Sequence, residues 1–280
     1  MRRLQGVRYA GALALVTALA SGTAAAAETD PVTSVTHWLS GPWTVTLGVE
    51  GRARPLFEGA DTLRFVPVPL FDIRRAGKAR GFQAPLDGAS IGILETDNFR
   101  FGPTFKIRLP RYERDAAGLQ GLGDVKYGIE VGGFAEYWPT QWLRTRGDIL
   151  QGFHGHHGVV GSLSADAVYA LTPQITLSAG PRARFESAKT MQTYFGIDPQ
   201  QSLLSGLPVY SPSGGFRSWG AGAQLRYDLT PQWSTHVFVE YERLSNSAAD
   251  SPLVRLRGSR DQITTGIGIN YAFDVGPFFR

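Results

Sequence analysis

Cysteine is absent from all 280 residues. That excludes disulfide-stapled scaffolds, zinc ribbons and thiol enzymes, which all require it. Charge is sparse at 19% and never gathers into the basic patch that a nucleic-acid partner needs, so no nucleic acid is expected. Long hydrophobic runs are missing as well: after Ala27 no stretch approaches the ~18 apolar residues of a transmembrane helix. Apolar spacing at 3.6 residues is rare, so helices are not the expected building block. Hydrophobic residues still make up 42%, too many for a disordered chain.

The first 27 residues read as a secretory signal peptide. Arg2, Arg3 and Arg8 form its basic start, Ala10 to Ala20 its apolar stretch, and Ala25-Ala26-Ala27 the small residues of a cleavage site. Without those three Arg, 28 − 3 = 25 basic residues face 24 acidic ones, so the basic character belongs mostly to the signal.

What the chain does contain is alternation. Apolar and polar residues trade places in segments of about 8 to 14 residues, the mark of strands with two unlike faces. From Ile175, one face carries Ile175, Leu177, Ala179, Ala183 and Phe185, the other Thr176, Ser178, Gly180, Arg182, Arg184 and Glu186. The pattern predicts about twelve strands, near 43–52, 61–73, 79–86, 89–96, 99–109, 125–138, 141–151, 158–171, 174–187, 217–229, 232–244 and 261–273.

A soluble sandwich alternates too, but three further features select a membrane barrel. Connections alternate between long polar loops, as over 110–124, 188–216 and 245–260, and the pairs Pro139-Thr140, Thr172-Pro173 and Thr230-Pro231. Outer-membrane barrels have that asymmetry, with the short turns periplasmic. Tyr137, Trp138, Trp142, Tyr169, Tyr227, Trp233, Tyr271 and Phe273 cluster near the short turns or the C-terminus, as an aromatic girdle requires. The remaining face carries balanced charge, including the expected lumen residues Arg144, Arg146, Arg182, Arg184, Arg226 and Glu240, which suits a wet or ion-paired lumen. The expected fold is an all-β, transmembrane, antiparallel up-and-down β-barrel. It occupies 42–273, between an N-terminal periplasmic segment over 28–41 and a tail over 274–280, in the outer membrane of a Gram-negative cell with membrane lipid around it.

The second half resembles the MipA/OmpV family of outer-membrane proteins. The resemblance rests on Tyr194-Phe195-Gly196-Ile197, Ser205-Gly206-Leu207 with Tyr210 and Gly214-Gly215, Tyr241-Glu-Arg-Leu244, Ala249-Asp250-Ser251-Pro252-Leu253-Val254 and Gly268-Ile-Asn-Tyr-Ala-Phe273. It implies a barrel that is a scaffold joining a murein-cleaving lytic transglycosylase to a murein-synthesising penicillin-binding protein. Other members are described as adhesins or porin-like proteins. The chain departs from such barrels by continuing past Phe273 to Arg280.

Two constellations carry chemistry in principle. His154-Gly-His156-His157 offers imidazoles for a metal, against the plainer reading of a polar loop. Ser234 and His236 share a strand face with Glu240 and Glu242, a hydrolase-like set without a nucleophile elbow. The loops around Ser211 to Gly215 and Asp250-Ser251-Pro252 read as structural turn formers. The resemblance implies a non-enzymatic scaffold, and no cofactor or metal is expected. A small passive pore is the alternative, and an adhesin or barrel-embedded hydrolase the lesser ones. Oligomeric state is left open.

Overall fold

The computed structural model describes residues 42–77 and 80–276. The expected signal peptide, the 28–41 segment and the last four residues of the tail lie outside the described residues. Strands dominate: β1 (Trp43–Pro55), β2 (Leu63–Arg75), β3 (Ala89–Ser90), β4 (Leu94–Glu95), β5 (Phe99–Arg108), β6 (Gly128–Thr140), β7 (Leu143–Phe153), β8 (Val159–Ala170), β9 (Ile175–Glu186), β10 (Gly215–Asp228), β11 (Trp233–Leu244) and β12 (Asp261–Val275). They form one twelve-stranded sheet ordered β2-β1-β12-β11-β10-β9-β8-β7-β6-β5-β3, with β4 also on β5. The antiparallel β1–β12 ladder, with Val45 opposite Phe273, brings the first and last strands together and curls the sheet into a nearly closed barrel. β12 runs two residues beyond Phe273, where Thr44 Oγ1 donates to Asp274 Oδ1 at 2.6 Å.

The expected strand over 79–86 does not form among the described residues. The chain leaves the wall after β2 and crosses the lumen. Arg80 donates to Ser234 Oγ of β11 at 2.6 Å, Phe82 meets Trp138 of β6 edge-to-face, and Asp87 accepts from Arg144 of β7 at 2.6 Å. A cation and an anion with partners on opposite walls, and a proline at 85 without an N–H, hold this segment inside as a plug. The expected strand over 89–96 survives as β3 and β4 lying end to end along β5, bridged by Ile91 N–H to Pro103 O at 3.1 Å and Ile93 N–H to Phe101 O at 2.9 Å.

With the plug out of the wall, β2 and β3 meet running in the same direction, and no ladder joins them among the described residues. This is a seam. β2 is built for it: Pro67 and Pro69 face Gly51 and Val49 of β1, and their missing N–H groups take two donors away from the free edge. Above β3, the Arg64 guanidinium of β2 reaches Pro110 O at 3.2 Å and Asp115 at 3.5 Å beyond the end of β5.

Call the two ends of the barrel the turn end and the loop end. At the loop end the long connections fold into a cap containing α1 (Ala188–Phe195), α2 (Pro199–Ser205), α3 (Asn246–Asp250), α4 (Pro252–Arg257) and two 3₁₀ turns over 113–115 and 117–119. The helix α2 has legible local causes. Asp198 and Gln201 form a reciprocal capping box at 2.8 and 3.0 Å, Pro199 opens the first turn, and Gly206 closes it at φ 73°. The cap holds the apolar core. Phe57 and Ala60 from the β1–β2 loop, Leu119 and Leu122 from β5–β6, Ile197 and Leu207 from β9–β10 and Leu253 from β11–β12 pack together. Loops from so many points on the rim meet only over the mouth.

Candidate functional site

The strand faces direct charge inward, and the cap and plug decide what that charge meets. Arg144 on β7 is fully buried and donates to Asp87 at 2.6 Å, Glu136 at 2.9 Å and Asp166 at 3.1 Å. Arg146 bonds Asp148 and lies 3.8 Å from Asp87. These two residues clamp the plug and do not border an open channel. Removing one partner of so buried a set leaves uncompensated charge, which is strongly destabilising.

Above the plug, a cavity of about 220 Å³ lies between Ala84, Leu86 and Asp87 below and Phe57 and Glu58 of the cap above. Its wall is rich in guanidinium groups. Arg184 binds Glu240 at 2.7 Å and Glu242 at 3.0 Å, while Arg182 binds Asp166 at 2.6 Å. Arg108 binds Glu130 at 2.9 Å and Glu186 at 3.0 Å. The cap enters this network through Glu58, whose carboxylate accepts from Arg217. Burial works to raise the Glu58 carboxyl, but Arg217, Arg108 and Arg54 overcome it and hold the group at about 2. Nearby Tyr194 of α1 lies under the Arg108 guanidinium, and burial pushes its phenol up to about 12.

The other expected lumen residue, Arg226, lies on the inner side near the turn end and binds Asp228 at 2.6 Å; Glu240 is buried at the cavity wall. Of the aromatic set, Tyr137, Trp142, Tyr169, Tyr227, Trp233 and Tyr271 are exposed on the outer face at the turn end, and Phe273 stacks on Tyr271. Trp138 is the correction. It faces inward, donates to Glu136 at 3.0 Å and packs on Phe82 of the plug.

The histidine and hydrolase-like sets come apart. His154 stacks on Tyr127, whereas His156 is buried between Glu130 at 2.9 Å and Thr190 at 3.4 Å. No cluster of metal-ligating side chains occurs among the described residues. His236 bonds Glu50 at 2.8 Å, and Ser234 serves Arg80. The loop motifs become cap core: Phe195 and Ile197 are fully buried, and Ser251 donates to Phe195 O at 2.7 Å. Gly121 has φ +81°, and a Cβ there would stand 2.5 Å from the backbone of Leu204 and Ser205, so only glycine fits against α2. The plug and the seam escape sequence pattern, yet Pro67 and Pro69 inside one strand are a readable sign of an edge.

A family model described as MltA-interacting protein MipA matches residues 47–273. MltA-interacting proteins of Escherichia coli (strain K12) and Shigella flexneri are each 31% identical over 164 residues, 55% of this chain and 60% of theirs. The matched region thus spans less than two thirds of those relatives. Among solved structures, the NanC porin is similar at TM-score 0.41 and 11% identity, covering 80% of this chain and 98% of that one. An outer membrane channel from Pseudomonas putida F1 is similar at TM-score 0.43 and 10% identity, covering 84% and 96%.

Proposed function

This chain belongs to the MltA-interacting protein MipA family of outer-membrane barrels, and from that premise we propose that it is a non-enzymatic scaffold for peptidoglycan-remodelling enzymes. The observation that carries the reading is the filling of the lumen. A barrel built to pass solutes keeps a path between its mouths, whereas here a cap with its own apolar core covers one end and an ion-paired plug crosses the other. Those features leave the outer surface and the turn end as what the molecule presents. In this reading the turn end faces the periplasm, the exposed aromatic ring lies at the membrane interface, and the cap faces outward. The partner class is a murein hydrolase, as the relatives' name suggests, together with a murein synthase, and the 28–41 segment and the tail supply contacts beside the short turns.

The test is direct binding of purified full-length barrel in neutral detergent to a purified lytic transglycosylase, measured by biolayer interferometry. Saturable binding weakened by removal of 28–41 is expected; its absence with both transglycosylase and penicillin-binding protein ends the scaffold reading. A second reading, a small passive pore or solute channel, has one observation in its favour: the cavity of about 220 Å³ between plug and cap.

A further inference from the structure

We infer that the cavity beneath the cap is a binding site for a phosphate group, held by Arg54 together with Arg108. The inference is independent of the scaffold reading. It starts from how the lining charges are committed. Each lining carboxylate has a guanidinium partner: Glu58 with Arg217, Asp87 with Arg144, Glu130 and Glu186 with Arg108, and Glu240 and Glu242 with Arg184. Glu186 Oε2 is buried without a hydrogen-bond donor, but its carboxylate is already held between Arg108 at 3.0 Å and Arg217 at 3.6 Å.

The basic side is not used up in the same way. Arg54 lines the cavity from the loop end of β1 and makes no hydrogen bond or ion pair among the described residues. Glu58, the acid beside it, is turned to Arg217, with its other oxygen 3.8 Å from Arg108 Nη1. Arg108 Nη1, 3.8 Å from Glu58 Oε1 and so beyond hydrogen-bond reach, is buried without an acceptor, as is Arg217 Nε. An unsatisfied buried donor is costly, the more so when it is charged, so these groups favour an acceptor that enters. The hydroxyls of Ser164 and Thr264 line the same space, and neither is engaged in a hydrogen bond among the described residues.

A guanidinium fork matches the paired oxygens of a carboxylate or a phosphate. Donors arriving from β1, β5, β8 and β12 suit a tetrahedral group with several oxygens better than a planar one with two. Space agrees: about 220 Å³ equals roughly seven waters, enough for a phosphomonoester with part of its shell. The group has two possible sources, a soluble phosphate compound or the headgroup of an anionic lipid. The seam above β3, bridged by the Arg64 side chain, is the route a lipid headgroup would take from the bilayer.

Isothermal titration of the full-length protein in neutral detergent tests this with inorganic phosphate and, separately, decyl phosphate. Both are expected to bind, and Arg54→Gln to weaken binding about tenfold or more while Arg243→Gln, on the exposed rim, changes it less than about twofold. Arg54 makes no hydrogen bond or ion pair among the described residues and acts on Glu58 through its charge alone, beside Arg217 and Arg108, so the variant is expected to fold; heat-modifiable migration on a gel verifies the barrel, and Arg54→Lys is expected to recover part of the affinity. Decyl phosphate binding about tenfold tighter than phosphate assigns a lipid headgroup, and similar affinities a soluble compound. Absence of binding by both ligands, or equal affinity of wild type and Arg54→Gln, overturns the site.

Discussion

Arg144 and Arg226 have the same position in the alternation and opposite weight in the fold. Arg144 is fully buried among three carboxylates, whereas Arg226 pairs with Asp228 at the turn end, its side chain 21% exposed. Arg144→Gln is therefore expected to cost about 3–5 kcal/mol and Arg226→Gln at most ~1 kcal/mol, read from urea unfolding of the barrel in lipid vesicles. Equal losses at the two sites would show that burial does not govern the network. Glu58 gives a pH signature. Its folded-state value of about 2 lies below the ordinary 4.5, so its contribution, on the order of 3 kcal/mol, is full above ~pH 4.5 and is lost as pH falls toward about 2. Amide exchange of residues 188–214 is expected to accelerate over that window in wild type, and much less in Glu58→Gln; identical profiles would remove Glu58 from the clamp. Charge type and face were legible at these positions, but partners were not. His154 and His156 look equivalent in sequence, and only the fold sends one to an exposed stack and the other to a buried carboxylate.

Among elements, alternation identified the ten long strands because each has lipid-facing apolar residues on one side and polar residues on the other. The same signal misled over 79–86. A plug packed against an inner wall also alternates between apolar and polar contacts, and period alone cannot separate wall from plug. The cap helices were missed for a related reason. At five to eight residues each they are too short to establish a 3.6 period, and their burial comes from loops distant in sequence. The prolines of β2 make the seam testable. Pro67→Val with Pro69→Val restores two N–H groups to a free apolar edge, so the double variant is expected to form dimers or larger assemblies in detergent by light scattering, where wild type does not gain them. A double variant with the mass of wild type would mean that the edge is covered by other means. Leu225→Arg and Ile267→Arg, on outer faces of β10 and β12, are expected to cost about 2–4 kcal/mol each.

For the whole molecule, the question is why a barrel of this size fills itself. Eight-stranded barrels are filled by their own side chains and far wider ones keep aqueous channels, so an intermediate barrel has to add mass to close. Here the added mass comes from two directions: the loop-end connections condense over one mouth, and one segment leaves the wall to cross the other. Leaving the wall also creates the seam, so closure of the lumen and weakening of the wall have a single structural cause. That dependence yields a prediction in which plug and cap act in series. In planar bilayers the wild type is expected to show little or no steady conductance. Replacing Phe82–Asp87 by Gly and Ser of equal length removes the anchor on Arg144 and Arg146, yet conductance is expected to stay low because the cap remains. Combining it with Glu58→Gln, which withdraws the cap's carboxylate from Arg217, is expected to raise conductance well above either change alone. A steady, large conductance in wild type would instead mean that cap and plug do not close the path, and would favour the channel over the scaffold. Conductance opened fully by the plug change alone would mean that the cap is no barrier to ions despite its core of Phe57, Leu119, Ile197 and Leu253.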